Sequence, residues 1–458
     1  MSKHAPACIL LAIAITGCTH SAITPQATDP LVPESWARTQ QAETVSLNWL
    51  QSFENEQLTA LVTEAVSSNY SLELERARLA EAEQNVTIVG ADRYPQLDVS
   101  IDATRRSIQI QDGTRVDNSS FNAGLDARWE VDLWGRLSKA QQAAQLSMEA
   151  QRARLLDAER SLAASTAGAM FNVMQAQQLL EVAERRLQNV QQSEEIVSGG
   201  YRQGLNDALD LYLARNQVER QQANLAQQEQ VTLEAVASLQ LALARYPDGK
   251  LPVNGQLPVI RDPVPAGLPS DLLLRRADIQ EAWLNLLSAD ANLAAAHKAR
   301  FPRLTLVGAG GVSSLQLGDL LDGDGATWSI FGGLTQPLFQ GGRLKAQELA
   351  AAERVRATEQ QYLDLVYGAF ADVENSISRD ASLNERYESF LDAESNSAAA
   401  LTLALEQYQR GLISYTTVLE SQRQAFDAEA TVVELRNQLL QNRINLYLAL
   451  GGEFSTEF

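Results

Sequence analysis

Side chains able to do covalent or metal chemistry are few and far apart in this chain. It holds 2 cysteines and 3 histidines. His4, His20 and His297 are scattered, with no HExxH pair and none of the Cys/His spacings that a zinc site needs. Gly308, Gly310 and Gly311 fall in a strand-like run that opens no helix, so they form no dinucleotide loop. Gly341-Gly342-Arg343-Leu344-Lys345 lacks both the spacing and the hydroxyl of a phosphate-binding loop. Asp322-Gly323-Asp324-Gly325 lacks the EF-hand spacing and reads as a solvated hairpin tip. A Gly-x-Ser-x-Gly nucleophile elbow is absent as well. The expectation is a protein that is not an enzyme, with no cofactor and no metal.

One reactive group stands out by its position. Lys3, an apolar run from Ala5 to Thr16 and small residues before Cys18 make a secretory signal over residues 1–17. Its apolar run is too short to span a bilayer. Ile15-Thr16-Gly17-Cys18 resembles a bacterial lipobox, in which the cysteine becomes the first mature residue and carries lipid. Thr19, rather than Asp, follows it, which in bacterial lipoproteins goes with sorting to the outer membrane. Cys8 leaves with the signal, so no thiol pair remains for a disulfide. The formal charge is −20, and removing residues 1–17 with their single Lys3 makes it −21. That excludes a general nucleic-acid binder and disfavours docking on anionic lipid by charge.

The elements that carry these residues come in two copies. An offset of 207 maps Arg93-Tyr94-Pro95 onto Arg300-Phe301-Pro302, Gly135-Arg136-Leu137 onto Gly342-Arg343-Leu344, and Tyr201, Gly204 and Leu205 onto Tyr408, Gly411 and Leu412. Two near-equivalent units are expected. After the signal, no run is long and apolar enough for a transmembrane helix, which leaves a closed β-barrel as the way across a bilayer. From Phe121 to Leu133 every odd position is apolar and the even ones are Asn, Gly, Asp, Arg, Glu and Asp. Leu97 to Thr104 repeats this parity, and Gln111-Asp112-Gly113-Thr114 supplies a turn between the two. In the second copy Leu304, Leu306 and Val312 share a face, while Trp328, Ile330, Leu334 and Leu338 share another. Tyr94, Trp129, Trp134, Phe301, Trp328 and Phe339 cluster at strand ends, as an interfacial girdle does. Four strands cannot close a barrel, so chains must pool them, and three chains give a bore that two do not.

The remainder reads as helix. Residues 136–198 hold no Pro and one Gly, enough for a rod about 95 Å long, followed by a break at Gly199 to Asn206. Returning helices over 207–245 and 270–299 match it end to end; in the second half a helix over 343–410 is matched by 414–449 and 55–90. Leu211, Val218, Leu225 and Leu239 step by heptads, as do Val418, Ala425, Val432 and Leu446, which predicts coiled-coil packing. The domains are the signal (1–17), an N-terminal lipid-anchored segment (18–54), repeat 1 (55–245, strands about 94–134), a Pro/Gly-rich linker (246–269), repeat 2 (270–450, strands about 301–340) and a tail (451–458).

The lipobox, the two Arg-aromatic-Pro strand starts, Gln336-Pro337-Leu338-Phe339-Gln340-Gly341-Gly342-Arg343-Leu344, Gly267-Leu268-Pro269-Ser270-Asp271-Leu272-Leu273 and the two Tyr-x-x-Gly-Leu turns resemble the TolC-like outer-membrane factors, lipoprotein (NodT-type) branch. The resemblance implies a mainly α fold with transmembrane β: a homotrimer whose 12-stranded outer-membrane barrel continues into a 12-helix periplasmic barrel, with the linker in its equatorial region. It implies a passive exit duct for small molecules such as drugs, working with a periplasmic adaptor and a proton-driven inner-membrane pump. Export of polypeptides, or a structural coiled-coil lipoprotein, are the alternatives. The resemblance places Asp210 and Glu420 at a periplasmic gate, with Arg215 and Arg423 as nearby partners. Thr417, the offset counterpart of Asp210, stands where some members carry aspartate. Gly204, Leu205, Gly411 and Leu412 become adaptor-contacting tips, and Asp98, Asp102, Asp126, Glu130 and Asp132 line an acidic, cation-preferring lumen.

Overall fold

The structure is a computed structural model that describes residues 30–37, 49–109, 113, 115–259, 266–321 and 326–452. Cys8, Cys18, His4, His20 and the stretch Asp322 to Gly325 lie outside the described residues. The chain forms two compact units. One takes in Ala80–Ala150 and Ala282–Leu363, the other Leu31–Leu79, Gln151–Glu281 and Asp364 onwards.

In chain order the elements are α1 (Glu56–Ser68), α2 (Tyr70–Ala91), β1 (Gln96–Gln109), β2 (Arg115–Val131), α3 (Arg136–Arg202), α4 (Ala208–Ala242), the short α5 (Leu272–Arg275), α6 (Ala277–Lys298), β3 (Arg303–Ser314), β4 (Ala326–Thr335), α7 (Arg343–Gln409) and α8 (Tyr415–Ala449). The offset of 207 recurs in the bounds themselves. α3 and α7 both have 67 residues, α4 and α8 both 35, and α2 and α6 both 22.

The first unit contains a four-stranded antiparallel sheet in the order β1-β2-β3-β4. Its register sets Leu97 opposite Ala127, Val99 opposite Leu125 and Ile101 opposite Ala123. It continues with Ala123 opposite Val312, Trp129 opposite Leu306, Leu304 opposite Leu334, Gly308 opposite Ile330 and Gly310 opposite Trp328. Directly opposed residues point to the same side, so all these apolar groups share one face. The second copy's two apolar sets therefore lie on a common face rather than two. Leu338 is beyond the end of β4. Gly311 has no room for a side chain, because a Cβ there would lie 2.5 Å from the carbonyl oxygen of Ala123 on the neighbouring strand. Below the sheet, Leu286, Ala289 and Leu293 of α6 pack on Val355 of α7, and Trp283 meets Tyr362 with ring centroids 5.4 Å apart.

The core of the second unit gathers α1, the middle of α3, the end of α4 and the end of α8. Leu58, Val62, Phe171, Met174, Leu239, Leu243, Ile444 and Tyr447 are buried there together with Trp49 and Phe53. Each fully buried side chain of this size contributes roughly 2 kcal/mol. Two helices expected to be continuous are jointed. Asn69 and Arg276 adopt extended backbone, ending α1 and α5. Each joint is held by a side chain reaching the end of a returning helix: Asn69 Nδ2 donates to Ala242 O (2.8 Å), and Arg276 Nη1 donates to Ala449 O (3.4 Å). The break expected at Gly199 is absent, since α3 runs on through both glycines to Arg202.

Candidate functional site

Both helical turnarounds are built alike. Leu205 N–H donates to Gly200 O (2.9 Å) and Gly204 N–H to Tyr201 O (3.0 Å), with Gly204 at φ +75. In the second copy Leu412 N–H donates to Gln407 O (3.0 Å) and Gly411 N–H to Tyr408 O (2.8 Å), with Gly411 at φ +69. This pairing of a six-to-one with a five-to-two bond around a left-handed residue is the Schellman cap, and glycine adopts it without steric cost. Leu205 and Leu412 are left 77% and 69% exposed at the two tips. Behind them Val197, Leu211, Ala214, Tyr415 and Val418 form one buried cluster, so the tips pack on each other.

Asp207 caps α4, accepting from Leu209 N (2.7 Å) and Asp210 N (3.1 Å). Its charge and the partial burial of Asp210 act together. Burial first, then Asp207, raise the Asp210 carboxyl above the usual carboxylate range. Burial raises the phenols of Tyr408 and Tyr415 too, with the Asp210 charge adding to both. Tyr415 is 1% exposed, its ring centroid is 5.5 Å from that of Tyr408, and neither phenol oxygen has a hydrogen-bond partner among the described residues. Asp210 thus borders a tyrosine pair, Tyr415 buried and Tyr408 half-buried, that the residue spacing did not disclose. Tyr201, the counterpart of Tyr408, is exposed, so the duplication gave no hint of it.

The other proposed gate residues separate into local contacts. Arg423 grips Glu420 through Nη2 (2.5 Å) and Nε (3.0 Å), and Gln424 adds a bond of 2.8 Å. The Arg423 contact holds the Glu420 carboxyl down to about 2. Arg215 pairs with Glu194 (3.5 Å) rather than with Asp210. Thr417 belongs to the first turn of α8, its N–H donating to Ser414 O (3.1 Å).

On the sheet, Asp98 stands directly opposite Asp126, and Asp102 opposite Asn122. Their side is the one away from Leu97, Val99 and Ile101. Ser100 Oγ donates to Asp126 Oδ2 (3.2 Å). The last two proposed lumen residues have structural partners. Glu130 accepts from Arg136 Nη2 (2.9 Å), and Asp132 accepts from Leu137 N (3.0 Å), Ser138 N (2.8 Å) and Ser138 Oγ (2.6 Å) at the start of α3. Burial opposes ionisation of Asp132, and the bonds from Ser138 and Leu137 outweigh it, holding the carboxyl low.

α8 is fixed between α3 and α7 by polar contacts that the heptad pattern did not disclose. Gln422, 1% exposed, donates to Asn189 Oδ1 (2.7 Å) and Ser193 Oγ (2.8 Å). Gln441 donates to Gly168 O (2.8 Å), and a Cβ at Gly168 would lie 2.7 Å from the Gln441 amide oxygen. Asn442 donates to Ser376 O (3.0 Å) on α7.

A two-faced antiparallel sheet joined to duplicated long helix hairpins defines an outer-membrane channel subunit. The model of the family described as outer membrane efflux protein matches residues 61–245 and 268–452, and the chain belongs to that family. It is 31% identical over 471 residues to the cation efflux system protein CusC of Escherichia coli, covering 98% of each chain. It is 30% identical over 451 residues to the "Probable outer membrane lipoprotein SilC" of Salmonella typhimurium, covering 96% of each. Among solved structures, the open-state MtrE outer membrane channel of Neisseria gonorrhoeae superposes with a TM-score of 0.82 at 27% identity, over 95% of this chain and 99% of that one. The protein is an outer-membrane component of an efflux system.

Proposed function

We propose that three copies of this chain close into a passive exit duct for small solutes. The observation that carries this is the sheet. In the order β1-β2-β3-β4 the outer sides of β1 and β4 are unpaired among the described residues, and one face is apolar. Lipid cannot hydrogen-bond such edges, so each must meet another strand. Four strands from each of three copies give twelve, enough for a water-filled bore. Cyclic symmetry closes the ring and repeats every wall residue around it. Asp98, Asp102 and Asp126 then give the barrel interior an acidic, cation-preferring character.

The periplasmic end is gated by the tips, with Asp210 and Glu420 at the constriction. Gly204, Leu205, Gly411 and Leu412 present an adaptor protein with two apolar knobs per copy. Energy comes from an inner-membrane pump, and the duct itself performs no reaction. Cys18 carries the lipid anchor, a reading supported by its lipobox and by the lipoprotein description of the SilC relative.

Single-channel recording in planar bilayers tests this with wild type, Asp210→Ala and Glu420→Ala. Small cation-selective conductance that rises in the variants is expected. Absence of conductance from well-folded protein in every form would leave the structural-rod reading instead.

A further inference from the structure

Within the second unit α3, α8 and α7 form one layer, α8 being bonded to α3 through Gln422 and Gln441 and to α7 through Asn442. The two surfaces of this layer differ. One is covered. Trp36 donates to the carbonyls of Ala266 and Gly267 and packs on Phe370 of α7, and Ala37 N–H donates to Glu374 (2.7 Å). On the same side Trp49 stacks on Tyr447 of α8. Among the described residues the other surface is uncovered and polar. Arg379 and Arg386 recur on α7 a heptad apart, on the far flank of the buried Val373, Ser376, Leu383 and Tyr387 stripe from Phe370 and Glu374, with Ser378 and Ser382 between the two flanks. α8 faces them with Gln438 and Asn445. Two clefts of about 420 and 580 Å³ share Asn375, Arg379 and Asn445 and so make one groove.

Asp157, Asp278 and Asp372 line the first cleft beside Arg160 and Arg276, whereas the second carries Arg379 and Arg386 with no carboxylate in its lining. Arg423 has Glu420, Arg356 has Glu353, Arg215 has Glu194 and Arg276 has Asp278. Among the described residues, Arg379 and Arg386 have neither an ion pair nor a side-chain hydrogen bond, in a chain of net charge −20. Serine hydroxyls and carboxamides surround them, all able to donate to oxygen. A guanidinium stays charged at any working pH and presents a planar fork that fits carboxylate and phosphate.

We propose that this groove is an oxyanion-binding station on the duct wall. Arg379 and Arg386 take the carboxylate or phosphate groups of a passing solute, and Asn375, Ser382, Gln438 and Asn445 complete its hydrogen bonds. The station rests on the duct reading, because the covered surface carries the chain back towards Cys18, and a lipid-anchored segment runs only outside a closed conduit. Exposed, solvent-screened arginines bind weakly, which suits a wall that must release what it holds.

NMR line broadening of pyrophosphate and of ¹³C-citrate, titrated with the full-length detergent-solubilised protein at low salt, tests it. Saturable broadening in wild type, weakened about tenfold in Arg379→Gln/Arg386→Gln and unchanged in Arg356→Gln, is expected, the loss amounting to about 1.4 kcal/mol. Equal broadening in wild type and the double variant overturns the station. An equal loss in Arg356→Gln assigns the effect to general charge and overturns it too. Dissociation of the double variant, seen by light scattering, places the arginines between copies and likewise overturns the station. Planar-bilayer conductance reads the duct separately: protein that conducts without the binding difference loses the station alone, and protein that binds without conducting loses the duct.

Discussion

Two carboxylates near helix starts behave in opposite ways, and the difference can be measured. Asp132 satisfies N–H groups at the start of α3 that have no partner within the helix. Asp132→Ala should cost about 1 kcal/mol, as loss of a helix cap does. Its folded pKa lies below the unfolded 3.8, so its contribution is complete above that value and fades as pH falls through the depressed one. Thermal melts of wild type and variant should therefore converge below pH 3.8. Asp210 has the reverse sign. Burial and Asp207 raise it, so the folded tip favours the protonated acid and loses stability as pH climbs from 3.8 through the raised value. Asp210→Asn should slow amide exchange at the tip at neutral pH; faster exchange would mean that a cation pairs with Asp210 in the assembly. The family resemblance flagged Asp210 and Glu420 and named Arg423 and Arg215 beside them; Arg423 does hold Glu420, whereas Arg215 turns to Glu194. The Arg423 contact follows from three-residue helical spacing, whereas the Tyr408–Tyr415 pair depends on two helices meeting.

Helix lengths, turnarounds and the alternation of β1 and β2 were legible because each has a local physical cause: absence of Pro and Gly, a glycine at positive φ, and apolar parity. The joints at Asn69 and Arg276 were not. Neither residue breaks a helix by itself, and both joints depend on carbonyls more than 170 positions away in sequence. The blurred face of β3 and β4 became readable only through its register with β2. At this scale Gly204→Ala and Gly411→Ala should each cost about 1 kcal/mol, since a side chain at φ +75 or +69 meets the following carbonyl. Urea unfolding monitored by a probe at the tip would show it, and no change would mean that the turn relaxes to another form.

For the whole molecule, the open sheet edges make oligomeric state the quantity to measure. Cross-linked protein in mild detergent should migrate as a species of three copies and fall to one on boiling, because unpaired strand edges in lipid are tolerated only when closed. A stable monomer in bilayers would contradict the ring. The excess of acid over base, 57 against 37, is partly spread along this wall, so salt should tighten the assembly by screening its self-repulsion.

α3 and α7 have the same 67 residues, α4 and α8 the same 35, and their far ends share one buried cluster. The copies have diverged almost everywhere in side chain, yet neither has been free to drift in span. Deleting one heptad from α3 and α4 alone would withdraw Val197 and Leu211 from Tyr415 and Val418, while the same deletion made in both hairpins would keep the tips level. Inherited insertions and deletions in these arms must then come as matched pairs, and the ancestral hairpin survives here as a ruler more than as a sequence.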